Sequence, residues 1–325
     1  MPVGPRNALT DVSGLRVGCA DDTDVRTGVT VVLPDEAVVC AVDVRGGGPG
    51  TRETDALRLD GLVERADAVV LAGGSVYGLA AADAVTAALG ARGRGFALMP
   101  RAGVPVSPIV PAAILYDLAN GGAKDWGEVP PYARLGRAAL AAAGPDVPLG
   151  AVGAGRGARA GAHAGGQGTA SWTEGRVTVG ALAAVNSFGS VYVPGTDRFW
   201  AAPWEQAGEF GGRGVAAAAG VAGLPEDTKL GPQDKLSGTN TTLAVVATDA
   251  RLTKPQARRL AVMAQDGLSR AIRPAHGPTD GDVVFALATG RGAGVDTLGL
   301  LRLGTAAGDV LARAIARGVY AAEGP

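Results

Sequence analysis

Short valine-rich runs closed by Gly, Asp or Pro recur near the start of the chain, and they predict strands over 15–18, 29–33, 37–44 and 68–72. The pattern then shifts to helical spacing over 76–89, where Leu79, Val85 and Leu89 fall on related faces. A shorter helix is expected over 132–143, followed by strands over 149–152, 177–185 and 190–193. From 194 to 239 periodicity dissolves among Gly, Pro and charged residues, a run too long for an ordinary connection. Order returns with a strand over 242–248. Thr253-Lys254-Pro255 supplies a capping residue and an early proline for a helix running to about 272. A strand over 283–288 and a closing helix over 306–321 complete the reading. Strands grouped ahead of long helices, without regular βαβ alternation, predict a layered α+β fold. No internal repeat is visible, and one domain spanning 1–325 is expected.

Composition sharpens this picture in a few places. There are 52 glycines among 325 residues, more than twice the usual share of about 7%. With apolar runs between them, they indicate tight turns and close backbone approaches in a folded protein. The net charge of −1 and the lack of a basic run give nucleic acid and anionic membranes no electrostatic support as partners. No uncharged apolar run approaches the roughly 18 residues of a membrane span. Residues 1–14 carry no cationic stretch followed by an apolar one, so no secretory signal and a cytoplasmic location are expected. Cys19 and Cys40 form no CxxC pair and are expected to be buried thiols.

The chemistry concentrates at Ser237-Gly238-Thr239-Asn240-Thr241-Thr242, a polar approach running straight into the apolar strand that begins with Leu243. Asn tolerates the turn conformations that expose a peptide carbonyl. A threonine hydroxyl is a poor nucleophile unaided, but an N-terminal threonine brings its own base, an α-amine with pKa of about 8. The pattern suits a protein that cuts its own backbone between Asn240 and Thr241, and taken alone it suits an ordinary turn entering a strand better. Asp280 and Asp282, at i and i+2 on a loop-to-strand junction, read either as a turn cap or as a pair serving such an amine.

Other site types fit less well. Gly73-Gly74-Ser75-Val76-Tyr77 has tyrosine where a nucleophile elbow needs glycine, although a triad of Ser75 with His276 stays open at this point. Gly153-Ala154-Gly155-Arg156-Gly157-Ala158 matches a dinucleotide loop, but the following 159–168 is too glycine-rich for the required helix. Two histidines, His163 and His276, and two scattered cysteines suggest no metal site, and no cofactor is expected.

The stretch from Val42-Asp43-Val44-Arg45-Gly46-Gly47-Gly48-Pro49-Gly50-Thr51 to Asp55 closely resembles a signature of the DmpA-type aminopeptidases. That family includes the β-peptidyl aminopeptidases and the nylon-oligomer hydrolases. Leu71 to Leu79, Pro105-Val106 to Asp117, Val152 to Gly155, the strand ending at Asn186, and Asn240-Thr241-Thr242 follow in the family's order. The resemblance implies a four-layer αββα sandwich, made as a precursor that cuts itself into fragments 1–240 and 241–325. These would stay paired in a homo-oligomer, a tetramer or larger. It implies Thr241 as nucleophile, Asn186 as oxyanion donor, Asp280 and Asp282 beside the amine, and Tyr77 lining the substrate pocket. Asn-Thr and Asp-x-Asp match the nylon-hydrolase branch. The implied activity is hydrolysis of short peptides or linear amides, with nylon-type oligomers second and an ornithine acetyltransferase-like transfer third. One departure stands out: the family's lysine after Gly-Ala-Gly aligns with Ala162, and Arg156 or Arg159 is expected to replace its charge.

Overall fold

A computed structural model describes residues 2–216, 223–230 and 240–324. One sheet orders its strands Leu15–Asp22, Thr27–Pro34, Val69–Ala72, Ala112–Ile114 and Gly50–Arg52. The other orders Gly166–Glu174, Val177–Asn186, Thr241–Thr248, Val283–Ala288, Val38–Val44 and Arg65–Ala66.

Strand alternation shows how these sheets stack. Leu243, Val245 and Ala247 join Val283, Phe285 and Leu287 in a core shared with Val32, Val69 and Leu71 of the first sheet. The intervening Ala244 and Val246 point the other way, into a second core with Leu260, Leu268, Val310, Leu311 and Ile315. On the outer face of the first sheet, Val29, Val31, Val70 and Ala72 pack on Ala81, Val85, Leu135 and Ala139. Three apolar layers therefore separate four layers of structure: helices, sheet, sheet, helices. The αββα sandwich is present. Full burial of a Val, Leu or Phe side chain is worth about 1.5–3 kcal/mol, so strands buried on both faces anchor the fold.

The helices follow local signals. Lys254–Ala264 opens with a capping box in which Thr253 accepts from the Gln256 N–H and Gln256 returns a bond to the Thr253 N–H. Thr297–Glu323 is capped by Asp296, whose carboxylate accepts from the Gly299 N–H at 2.7 Å. No helix among the described residues is long and apolar enough to cross a membrane.

Several elements differ from the sequence reading. Residues 149–152 and 190–193 hold only isolated bridges, to Gln167, Arg273 and Phe199, because no neighbour continues the ladder. The helix expected over 253–272 is two, Lys254–Ala264 and Asp266–Ala271, and the closing helix starts at Thr297 rather than 306. The strand Gly166–Glu174 was not anticipated. Gly168 serves it by leaving room for the closing helix: a Cβ there would sit 1.9 Å from the Ala314 carbonyl oxygen. Within the irregular run, residues 217–222 and 231–239, including Ser237-Gly238-Thr239, lie outside the described residues. Cys40 is buried as expected, while Cys19 is only partly so.

Candidate active site

The topology brings three strand ends together. Thr241–Thr248 runs antiparallel to Val177–Asn186, with Asn186 opposite Thr241, and parallel to Val283–Ala288, with Leu243 opposite Val283. Thr241 is in phase with Leu243 and Val245, and Asn186 with Leu182 and Ala184, so both face the end of the inter-sheet layer. Asn240, Thr241, Asn186, Asp280 and Asp282 are all buried. Five of the six residues singled out from sequence thus lie together.

The Asn240 carbonyl oxygen accepts from the Gly281 N–H at 2.9 Å and also from the Thr241 hydroxyl. The hydroxyl is therefore held against the carbonyl that precedes it, and a fixed backbone dipole polarises the same oxygen. Gly281 has no room for a side chain, since a Cβ would lie 2.5 Å from Thr241 Oγ1 and 2.9 Å from the Gly48 carbonyl oxygen. The glycine signature supports this turn from behind. Gly48 N–H donates to the Asp280 carbonyl at 2.7 Å and Arg45 N–H to that of Asp282 at 3.0 Å. A Cβ on Gly46 would fall 2.2 Å from the Asp280 carbonyl oxygen, so the loop can approach only as glycine. Gly281→Ala is expected to displace the Thr241 hydroxyl and slow any reaction at it by about tenfold or more, as overpacking costs about 1–3 kcal/mol. A time course of the reaction, with the thermal midpoint as control, checks this.

The two carboxylates divide their contacts. Asp282 accepts from the Thr242 N–H at 2.8 Å through Oδ1, one residue beyond the expected contact. Its Oδ2 accepts from the His276 N–H at 3.0 Å and lies 2.9 Å from His276 Nδ1. Asp280 accepts from the Gly277 N–H at 2.7 Å and the Phe188 N–H at 3.3 Å. Burial, then the charge of Asp282, push the Asp280 carboxyl above the ordinary carboxylate range. A carboxyl so placed can hold a proton that a solvated one would lose.

Asn186 is fixed by a nest of donors. Its Oδ1 accepts from Arg159 N–H at 2.9 Å, Lys229 Nζ at 3.0 Å and Asn120 Nδ2 at 3.3 Å. Its Nδ2 donates to the Tyr116 carbonyl at 3.0 Å. Three donors on one atom settle the amide's orientation. The cation here is Lys229, contrary to the expectation for the arginines. The Arg159 guanidinium turns to the Ala162 carbonyl at 2.7 Å and that of Arg156 to the Ala151 carbonyl at 3.1 Å. Ala162 itself is exposed in the turn joining Arg159–Ala160 to His163–Ala164. Sequence reasoning missed Lys229 because it sits in the aperiodic run, and missed Gly281 because Asp-Gly-Asp reads as a plain turn.

Tyr77 has no hydrogen bond or ring contact with these residues among those described. It is exposed, on the turn Ser75–Leu79, with its ring edge-on to Trp126 at 5.7 Å. His276 partners Asp282 rather than Ser75, whose N–H donates to the Leu115 carbonyl at 2.9 Å. Gly153–Gly155 is a buried turn against the first sheet, with Ala154 N–H on Thr30 Oγ1 at 3.0 Å, and the strand Arg159–Ala160 follows it instead of a helix. Among the described residues no group of three or more His, Cys, Asp or Glu side chains is placed to hold a metal ion.

Comparison with known proteins gives this site a context. The model of peptidase family S58 matches residues 7–324. An uncharacterized aminopeptidase of Mycobacterium bovis is 47% identical over 337 aligned positions, covering 98% of this chain and 94% of that protein. A 6-aminohexanoate-oligomer endohydrolase of a Kocuria species is 31% identical, covering 86% of this chain and 74% of that protein. Among solved structures, a Burkholderia β-aminopeptidase superposes with a TM-score of 0.71 at 26% identity, covering 97% of this chain and 87% of that one.

Proposed function

This chain belongs to peptidase family S58 and hydrolyses peptide or amide bonds, and from that premise we propose that it matures and works through Thr241. In the precursor, Thr241 Oγ1 attacks the Asn240 carbonyl carbon, and the Gly281 N–H holds the developing oxyanion. The C–N bond breaks, the threonine nitrogen takes the proton, and an ester joins Asn240 to the threonine oxygen. Water hydrolyses that ester, leaving fragments 1–240 and 241–325 with a free α-amine on Thr241. The observation that carries this reading is the contact of the Thr241 hydroxyl with the Asn240 carbonyl, whose oxygen also accepts from the Gly281 N–H.

In the mature enzyme the same hydroxyl attacks a substrate amide, and its own α-amine removes the proton. Asn186 Nδ2 supplies the side-chain donor to the oxyanion. Asp282 fixes the start of the nucleophile strand through Thr242, and Asp280 lies beside the junction, where Asn240 bridges it. The threonine β-methyl restricts χ1 and limits the hydroxyl's wandering. An acyl-enzyme on Thr241 forms, the amine leaves, and water releases the acid.

The substrate is a short peptide or linear amide with a free amino end. The aminopeptidase and β-aminopeptidase names of the relatives support this class. A nylon-type 6-aminohexanoate oligomer is the second reading, favoured by Asn240-Thr241, the Asp280–Asp282 pair and the endohydrolase relative. The cleaved pair assembles further, and exposed Phe96, Leu98, Met99 and Val104 on one loop offer an apolar surface for it. Free thiols at Cys19 and Cys40 fit a reducing compartment such as the cytoplasm.

An activated amino-acyl ester offered to the purified chain is expected to leave one acyl group on a fragment beginning at Thr241, followed by hydrolysis. Label on another residue, or acyl transfer to ornithine outrunning hydrolysis, would contradict the reading.

A further inference from the structure

We propose that Lys229, carried on the segment upstream of the junction, is a positioning residue that locks Asn186 in its oxyanion-binding orientation; this rests on the function proposed above. Its ammonium bonds both the main-chain carbonyl and the Oδ1 of Asn186, each at 3.0 Å. The bond to the main-chain carbonyl anchors the ammonium, and from there its bond to Oδ1 holds the side chain against rotation about χ1 and χ2. The amide nitrogen is thereby kept on the face away from Lys229.

The backbone around Lys229 is built for this placement. Lys229 N–H donates to the Phe188 carbonyl at 3.0 Å, while Phe188 N–H donates to Asp280 at 3.3 Å. The corner after Asn186 is thus clasped by the lysine's backbone on one side and the carboxylate on the other. Two residues earlier, the Asp227 carbonyl accepts from Ala162 N–H at 2.8 Å, and its carboxylate meets the Ser190 hydroxyl and His163 Nε2. These contacts staple the segment to the turn between Arg159–Ala160 and His163–Ala164.

The electrostatics agree with the geometry. Burial pushes the Lys229 ammonium down to about 7, against the opposing pull of Asp280. An enclosed ammonium is a poor way to gain stability, because desolvation offsets most of the attraction it makes. Its presence beside the amide is better explained by what it holds. Lys229 occupies the role for which the chain has only exposed Ala162 and two arginines whose guanidinium groups bond the Ala162 and Ala151 carbonyls instead.

The test is a double-mutant cycle with Lys229→Met, Asn186→Ala and the pair, reading self-cleavage by intact mass and turnover on an alanine p-nitroanilide. Lys229→Met alone is expected to lower kcat and the cleavage rate about tenfold or more with KM within about twofold. In the Asn186→Ala background it should change either rate by less than about twofold, since residues acting as one unit are not additive. Lys229→Gln, which keeps a donor of similar reach, should recover part of the loss with an unchanged thermal midpoint. Wild-type kcat in Lys229→Met, additive losses in the pair, or a collapse of the thermal midpoint without recovery by glutamine would each overturn the proposal. Failure of the underlying reading looks different: the unmutated chain itself would stay whole and leave the anilide intact.

Discussion

Replacing Thr241 with alanine is expected to yield a folded chain that neither cuts itself nor turns over an amide. The hydroxyl that meets the Asn240 carbonyl is gone, and with no cut there is no α-amine to act as base. Both losses follow from one oxygen atom, so turnover should fall to the background of the buffer. Folding should survive. Thr241 lies at the end of its strand, and Leu243, Val245 and Ala247, which carry the inter-sheet packing, are untouched. Thr241→Ser keeps a hydroxyl and should restore cleavage at a reduced rate, since serine lacks the methyl that restricts χ1. Turnover, intact mass and thermal midpoint of the three proteins check this together. A Thr241→Ala chain that still hydrolyses amides would place the nucleophile elsewhere.

Asn186→Ala is expected to slow amide turnover by about a hundred- to a thousand-fold, the usual loss of about 2.7–4 kcal/mol when one side-chain oxyanion donor is removed. The loss should fall on kcat rather than KM, because the donor acts on charge that develops only in the transition state. Self-cleavage should be hurt less than turnover, since the Asn240 carbonyl keeps its bond from the Gly281 N–H. Asn186→Asp tests the sign of the interaction. A carboxylate there could still pair with Lys229 but would repel the oxyanion, so it should be no better than alanine. Stopped assays of the two variants over a range of substrate concentrations separate kcat from KM. A variant with normal kcat and raised KM would make Asn186 a substrate-binding residue instead.

The parts of this fold that could be read from sequence are those where one residue type repeats with one physical consequence. The strand over 283–288 alternates between two cores and was read to the residue, and the nucleophile strand within one. The parts that could not be read are those where glycine does opposite things. Gly166 and Gly168 read as loop, yet they lie in a strand because the backbone of the closing helix passes against them. Gly299 and Gly304 hid the first turns of that helix. A Cβ on Gly304 would meet Met263 Sδ at 2.3 Å, so the glycine serves helix packing rather than breaking the helix.

The site divides along the same line. Thr241, Asn186 and the two aspartates could be singled out by their side chains, and the strand ends bring them together. Gly281 contributes a backbone N–H and an absence of bulk, which no residue name announces. Lys229 reaches Asn186 from 43 positions away through a segment without periodicity, so only the fold brings it there.

Whether Thr241 becomes an N-terminal nucleophile by self-cleavage is decided by the intact mass of the purified protein under denaturing conditions, with Thr241→Ala beside it. Two fragments of about 24 and 8 kDa are expected from the 32.2 kDa chain, divided after residue 240 of 325, with a single full-length mass for the variant. An active wild-type protein that runs whole would contradict that role, because Thr241 would then have no free amine with which to work.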